Sequence, residues 1–338
     1  MKSVRIRFLS QEDILSLNLT STQIVSALER MLVSHGKKLV QMPPKPAIFP
    51  REGRKYDYMH AMPAYASDLD VCGLKWLSRS SENERDRDLP QFTGLQVMND
   101  PDSGVPLAVM DCRWITVART TAVSVLTARL CSPRAPKVMG LLGTGLQGRF
   151  HALMLAQELP TVKEIRVYNR TESKRDEFIR QIAPKLPGVK LVPATMEEAV
   201  RDCDVVAAVG PGGHGIHLDW IAPGSLFISI NLAQPLAPDA VAGVERIFTD
   251  DAKQFWNRFE TEPDAFGGKP EVDGELSELV LGKKQPRIAP SDRVLSLNLG
   301  MAISDLALGD LIYREAEARN VGTVLPLMEQ EDLWPVIG

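Results

Sequence analysis

The sequence predicts an α/β protein: one doubly wound domain built on a parallel sheet, and a second, discontinuous α+β domain. Three observations carry this. The chain has 338 residues, a length for which two hydrophobic cores are a more natural arrangement than one. Residues 1 to about 130 read as a succession of strands with meander-like connections. From Cys131 onward, apolar strands and helices alternate, as a parallel sheet covered on both faces requires.

In order, Arg5 to Leu9 is a short strand. Thr20 and Gln23 have the spacing of a capping box, and Ile24, Leu28, Met31 and Leu32 then repeat at helical period until Gly36. Gln41 to Arg54, rich in proline and basic residues, is expected as an extended loop. Tyr58 to Tyr65, Gly73 to Leu77, Thr93 to Asn99 and Val105 to Asp111 are strands, with a turn at Asn99 to Gly104. Thr116 to Leu130 is a helix rich in small residues. The segment Cys131-Ser132-Pro133-Arg134-Ala135-Pro136 marks a boundary. Beyond it, strands are expected at Val138–Leu142, Glu164–Tyr168, Val189–Val192, Asp204–Val209, Ser225–Ile230, Arg246–Phe248 and Arg293–Leu299. Helices are expected at Gln147–Glu158, Ser173–Leu186, Met196–Asp202 and Met301–Arg319. Ala252 to Pro290 reads as irregular and polar. The first domain is therefore placed at 1–130, completed by about 306–338, and the doubly wound domain at 131–305.

The bulk composition narrows the function. Hydrophobic residues make up 44% and charged residues 24%, and the net charge is −4. That balance gives no electrostatic reason to expect nucleic acid or an anionic membrane as partner. Cys72, Cys112, Cys131 and Cys203 form no C-x-x-C pair, which favours a reducing compartment over a disulfide framework or zinc site. The first residues lack an apolar signal-peptide core, and no apolar run is long enough to span a bilayer. A cytoplasmic protein is expected. His60 and His151 lack metal-ligand spacing, and no metal is expected.

Gly143-Thr144-Gly145-Leu146-Gln147-Gly148 is a G-x-G-x-x-G that directly follows the apolar strand Val138–Leu142 and opens a helix. In that context the first glycine allows the tight turn, the second lets a pyrophosphate approach the backbone, and the third lets helix and strand pack closely. The helix N-terminus adds free amides and a positive dipole. This is a Rossmann-type dinucleotide site. At the end of the second strand an NAD site usually carries an acid that binds the ribose hydroxyls. Here the chain reads Tyr168-Asn169-Arg170-Thr171. With no acid, and with Arg170 able to pair with a 2′-phosphate flanked by Asn169 and Thr171, NADP(H) is favoured and NAD(H) is the alternative.

The first domain offers Lys45, Lys75, Arg79 and Arg119 near strand or loop ends. Lys75 sits in the otherwise apolar Gly73-Leu74-Lys75-Trp76-Leu77, and Arg119 sits among small residues near a helix start. A cation in such surroundings needs an anionic partner, since an unpaired buried charge is costly. That partner is either a structural carboxylate, such as Asp111, or the carboxylate of a substrate. Residue chemistry alone does not choose between them.

Taken together, Met62-Pro63, Gly73-Leu74-Lys75, Asn99-Asp100-Pro101, Gly104 to Asp111, Thr116-x-x-Arg119-Thr120-x-Ala122, Gly143-Thr144-Gly145-x-Gln147 and Asn298-x-Gly300-x-Ala302-x-x-Asp305 resemble the ornithine cyclodeaminase/μ-crystallin family over nearly the whole chain. Among its branches, Gly73-Leu74-Lys75-Trp76, Val105 to Met110 and Asn320-Val321-Gly322-Thr323 look most like the siderophore-pathway N-(2-amino-2-carboxyethyl)-glutamate dehydrogenases. The resemblance implies a homodimer whose first domain binds the substrate and forms the subunit interface. It implies that Lys45, Lys75 and Arg119 bind the carboxylate of an amino or imino acid, and that Lys75 is the catalytic lysine. The expected cofactor contacts are Gly143, Thr144, Gly145, Leu146, Gln147, Asn169, Arg170 and Thr171, with Val209 and Gly300.

One position departs from the pattern. Cyclodeaminases of the family carry a catalytic Asp two residues before a proline, where this chain reads Asn231-Leu232-Ala233-Gln234-Pro235. Ala233 cannot act as an acid or base, which favours plain hydride chemistry: NAD(P)-dependent interconversion of an imino and an amino acid. The alternatives are an ornithine cyclodeaminase using another acid and an NADP-dependent ligand-binding protein of μ-crystallin type. His214 and His217 lie in a glycine-rich loop, Glu275 and Glu278 read as a solvated helix face, and Asp250-Asp251 ends a strand near the cofactor edge. Asp305 is expected to orient groups near the nicotinamide or to cap the last helix.

Overall fold

A computed structural model describes residues 3–54, 57–210, 215–266, 268 and 270–329. The elements in chain order are β1 (Val4–Leu9), α1 (Gln11–Ser16), α2 (Ser21–Gly36), β2 (Val40–Gln41), β3 (Ala47–Ile48), β4 (Tyr58–Ala66), β5 (Val71–Arg79), β6 (Phe92–Asn99), β7 (Pro106–Asp111) and α3 (Arg113–Cys131). There follow β8 (Val138–Leu142), α4 (Leu146–Glu158), β9 (Glu164–Tyr168), α5 (Glu172–Ile182), β10 (Lys190–Pro193), β11 (Val205–Ala208), β12 (Leu226–Ser229), α6 (Pro238–Gly243), β13 (Arg246–Thr249), α7 (Ala252–Thr261), β14 (Gly274–Glu275), α8 (Leu276–Val280), β15 (Val294–Leu297), α9 (Ala302–Arg319) and β16 (Thr323–Met328).

The chain divides into two compact units. One comprises residues 1–27, 38–116 and 302–338, the other residues 28–37 and 117–301. The division falls inside α2 and α3, not at the proline-bounded segment 131–136. Composition marks where a helix stops, but a long helix can serve two cores along its length.

The first unit holds a mixed sheet in the order β16-β1-β7-β6-β5-β4-β2, with β3 also paired to β4. Strands β4 to β7 form an antiparallel meander, while β1 joins β7 in parallel. Helix α9 packs on β4, β5 and β6. It can approach because Gly73 and Gly309 lack side chains: a Cβ at Gly73 would press on Leu306 at 2.9 Å, and one at Gly309 on the Met98 sulfur at 2.6 Å. Leu9, Met62, Met98, Met110, Leu306 and Ile312 fill the core. The Thr20 box forms as expected, with the Thr20 amide donating to Gln23 and the Gln23 amide to Thr20. Helix α1 has its own box between Ser10 and Asp13.

The second unit holds an all-parallel sheet in the order β10-β9-β8-β11-β12-β15-β13-β14. Strand order reverses between β8 and β11, the switch point at whose carboxyl ends such sheets bind ligands. Its core includes Leu142, Val206, Phe227, Phe255, Phe266 and Leu295.

Four expectations are corrected. Residues 196–202 form hydrogen-bonded turns and not the expected helix. The span 252–290 is not irregular throughout: Asp251 caps α7 by accepting the Gln254 amide at 2.7 Å, and Phe255, Phe259 and Phe266 stack edge to face behind it. Glu275 is no solvated helix face. It accepts the Ala252 amide at 3.0 Å and the Ser277 hydroxyl at 3.1 Å. The loop 41–54 contributes β3 to the first sheet, and Thr323–Met328 adds a strand that pairs antiparallel with β1.

Candidate active site

The glycine turn sits at the switch point of the parallel sheet. Gly143 has φ +115°, and its amide donates to the Tyr168 carbonyl at 2.9 Å. A Cβ there would collide with the Gly210 backbone at 2.5 and 2.6 Å, so the loops after β8 and β11 close on one another only because both residues are glycine. The amides of Val209 and Gly210 both donate to the Leu142 carbonyl at 2.9 Å. A Cβ on Gly148 would press on the Gly143 backbone, with the Gly143 carbonyl carbon at 3.0 Å. Gly145 is different: a Cβ there meets nothing within 4 Å. It is the N-cap of α4 and supplies no side-chain acceptor, so the first-turn amides have no side-chain cap. An open cradle beside an uncapped helix N-terminus fits a dinucleotide pyrophosphate. Thr144 is buried, Gln147 half-buried and Leu146 exposed along this turn.

At the end of β9 the Asn169 side-chain amide donates to the Thr171 carbonyl at 3.0 Å, tying the turn together. Thr171 is the N-cap of α5 and makes no side-chain cap bond. Arg170 is exposed on this turn, and Tyr168 to Thr171 brings no acid.

Behind the turn, α4 is pinned to α3 through His151, which is fully buried. Its Nδ1 lies 2.8 Å from the Gln147 carbonyl and its Nε2 lies 2.9 Å from the Ser124 hydroxyl. A carbonyl can only accept, so Nδ1 carries the proton and Nε2 accepts from Ser124. Burial pushes the His151 pKa down to about 4, leaving the ring neutral.

In the first unit, alternation along β5 puts Val71, Gly73, Lys75 and Leu77 on the inward face. Lys75 therefore enters the core, with no exposed surface. Its Nζ donates to Asp305 Oδ1 at 2.7 Å and to Thr116 Oγ1 at 3.3 Å. Thr116 in turn donates to the Cys112 carbonyl at 2.7 Å. Asp305 reaches Lys75 from the first turn of α9, which Gly73 and Gly309 allow to lie close. Burial pushes the neighbouring Cys112 thiol up to about 12, so it stays protonated. Asp111, considered above as the structural partner, instead caps α3 by accepting the Arg113 amide at 2.9 Å. Lys45 is half-buried between β2 and β3.

In the second unit, Arg119 is buried on α3, one turn after Thr116. Its guanidinium lies against Gly300, where a Cβ would come within 2.9 Å of both Cζ and Nη2 and closer still to Nη1. Gly300 has φ +81°, and its amide donates to Asp250 Oδ2 at 2.6 Å. Gly300, one of the expected cofactor contacts, forms the floor under Arg119. Ala233 is buried, and two residues earlier the Asn231 side-chain amide donates to the Gly210 carbonyl at 2.6 Å. His217 pairs with Asp239 at 3.0 Å on an exposed surface, and His214 lies outside the described residues.

Sequence reasoning missed the roles of Asp250, His151 and Thr116. The Thr116-x-x-Arg119 spacing was the available signal for Thr116, because it stacks the two on one helix face. The four cysteines are free thiols. No described helix is long and apolar enough to cross a membrane.

The chain is 31% identical to the nodulation efficiency protein NfeD of Rhizobium meliloti, over 95% of this chain and 98% of that one. It is 25% identical to the N-((2S)-2-amino-2-carboxyethyl)-L-glutamate dehydrogenase of Staphylococcus aureus, again over 95% and 98%. Among solved structures, an archaeal alanine dehydrogenase dimer with bound NAD superimposes with a TM-score of 0.87 at 25% identity, covering 96% of this chain and all of that one. Residues 5–320 match the profile of the ornithine cyclodeaminase/mu-crystallin family. With its glycine turn at the sheet's switch point, its buried lysine and that match across nearly its full length, the chain belongs to the ornithine cyclodeaminase/mu-crystallin family.

Proposed function

We propose that this protein is an NAD(P)-dependent oxidoreductase that interconverts an imino acid and an amino acid. The observation that carries the reading is Lys75, a fully buried ammonium ion-paired with Asp305 in a chain that also holds a complete dinucleotide turn. A cell gains nothing in stability from such a pair compared with apolar residues of the same shape, so a chemical role explains its presence better than a structural one.

When bound, the cofactor supplies or accepts the hydride at the substrate carbon. The chain's own side chains do the rest. Arg119 grips the substrate carboxylate in a two-pronged contact, with Lys45 adding charge. Lys75 polarises the C=N bond and gives a proton to the nitrogen as the carbon is reduced; in the oxidative direction it takes that proton back. Position accounts for most of the rate in such chemistry. Arg170 favours NADP(H), and the working form is a cytoplasmic homodimer, in line with the dimer of the archaeal alanine dehydrogenase. Ala233 disfavours ornithine cyclisation.

The test is consumption of NADPH and NADH with pyrroline-2-carboxylate, piperideine-2-carboxylate, and pyruvate plus ammonia, with product analysis. Turnover of at least one imine supports the reading. Tight binding of these carboxylates without turnover makes the protein a binder, and proline formed from L-ornithine makes it a cyclodeaminase.

A further inference from the structure

Asp250 is fully buried at the carboxyl end of β13, and apart from a long contact from the Thr249 hydroxyl at 3.4 Å its carboxylate turns to backbone beyond its own strand. Its carboxylate accepts the Leu299 amide at 3.0 and 3.2 Å and the Gly300 amide at 2.6 Å. A third amide, that of Asp251, reaches Oδ1 at 3.2 Å. Leu299 and Gly300 follow β15, which pairs in parallel with β13 as far as Thr249 and Leu297. The carboxylate thus replaces the strand partner that these two amides lose when β15 ends. It holds Gly300 at φ +81°, a left-handed conformation that presents the bare Cα of Gly300 to the Arg119 guanidinium.

The neighbouring acid does a different task. Asp251 pairs with His35 Nε2 at 3.1 Å and caps α7. Helix capping therefore does not account for Asp250. Two consecutive backbone amides, both aimed at one buried carboxylate, set where the floor under Arg119 lies. A floor that moves by a few tenths of an ångström moves the planar fork with it.

We propose that Asp250 is a positioning residue for Arg119, acting through the Leu299–Gly300 backbone and so setting the affinity for the substrate carboxylate. This rests on Arg119 being the carboxylate clamp. In Asp250→Asn the side chain keeps its shape, but its amide nitrogen faces one of the two backbone donors and cannot accept from it. In Gly300→Ala the new Cβ displaces the guanidinium directly, and the end of a flexible side chain yields more readily than backbone would.

The experiment uses pyrrole-2-carboxylate, a planar carboxylate with no C=N bond to reduce, and its isosteric carboxamide. Both are titrated against the NADPH-saturated parent, Asp250→Asn, Gly300→Ala and Arg119→Met, and crystal structures of the variants are compared. Asp250→Asn and Gly300→Ala should each weaken carboxylate binding about tenfold or more and shrink the preference for carboxylate over carboxamide, and Asp250→Asn should leave NADPH affinity within about twofold. Loss of fold stability alone would not change that preference. In both crystal structures the guanidinium should have left its place over residue 300. A folded Asp250→Asn protein with Arg119 in place and the parental preference overturns the proposal. If Arg119→Met keeps the parental preference, the clamp reading itself fails; a guanidinium displaced in Asp250→Asn would still uphold the mechanical link.

Discussion

Lys75 Nζ lies 2.7 Å from Asp305 Oδ1, and neither side chain reaches solvent. Removing one partner leaves a buried charge without compensation. Asp305→Asn should therefore cost about 3–5 kcal/mol of stability, and turnover should fall with it. The double substitution Lys75→Met/Asp305→Leu should recover most of the stability in urea denaturation and none of the turnover. Recovered turnover would remove Lys75 from the chemistry.

The glycine turn separates folding from binding. Gly145→Ala adds a Cβ to open space, so its melting temperature should stay close to parental while NAD(P)H affinity drops at least about tenfold. Gly148→Ala instead forces a Cβ onto the Gly143 backbone and should lose about 1–3 kcal/mol of stability. Thermal melts and cofactor titrations on the same samples read both effects. Parental cofactor affinity in Gly145→Ala would move the pyrophosphate elsewhere.

Arg170 sits exposed on a turn that carries no acid. Arg170→Ala should weaken NADPH by roughly 10- to 100-fold, the worth of one charge-assisted contact, and leave NADH nearly unchanged. Fluorescence titration with each reduced cofactor checks this. Equal parental affinities for the two cofactors would rule the assignment out.

His151 gives a pH signature. Its folded pKa is pushed from 6.5 to about 4. Above pH 6.5 the ring is neutral in both folded and unfolded chains. As pH falls from 6.5 towards 4, the unfolded chain takes up a proton that the folded one refuses, so stability is lost at about 1.4 kcal/mol per pH unit, for a total of about 3 kcal/mol. Denaturation midpoints measured between pH 8 and 4.5 should show this slope in the parent and a flatter one in His151→Gln. Identical slopes would mean that the ring is protonated in the folded state.

The parallel sheet was legible because each of its strands is a short apolar run followed by a turn signal, and the Gly143 turn because three glycines stand after such a run. Lys75 was legible as a buried cation from its place in an apolar strand. Its partner was not: Asp305 lies 230 residues away, while Asp111 stood nearby in sequence and was spent on a helix start. Helix α7 was hidden because its apolar face is three aromatics scattered through a polar stretch. Strand β16 was hidden because Pro326 interrupts it and all six of its residues are exposed, the pattern of an edge strand. Asp250 was seen as a strand-end acid, but which amides it serves depends on β15 being its neighbour, which is set by topology.

The helix N-termini show a division of labour. Helices α1, α2 and α7 each carry a side chain that satisfies their first amides. Helices α4 and α5, at the glycine turn and at the end of β9, make no such side-chain bond. Serine at 145 would steady the cofactor-free protein by only about a few tenths of a kcal/mol and a bonded threonine at 171 by about 1 kcal/mol, and each would do so by occupying donors that a phosphate needs. Helix α6 also lacks a side-chain cap, but its first turn opens on Pro238, which removes one amide that would need one; at α4 and α5 the bare ends trade stability for ligand affinity on the proposed reading. On that reading the cofactor itself is the missing cap, and the protein should become tougher, with the logarithm of the free concentration, as its surroundings supply more cofactor.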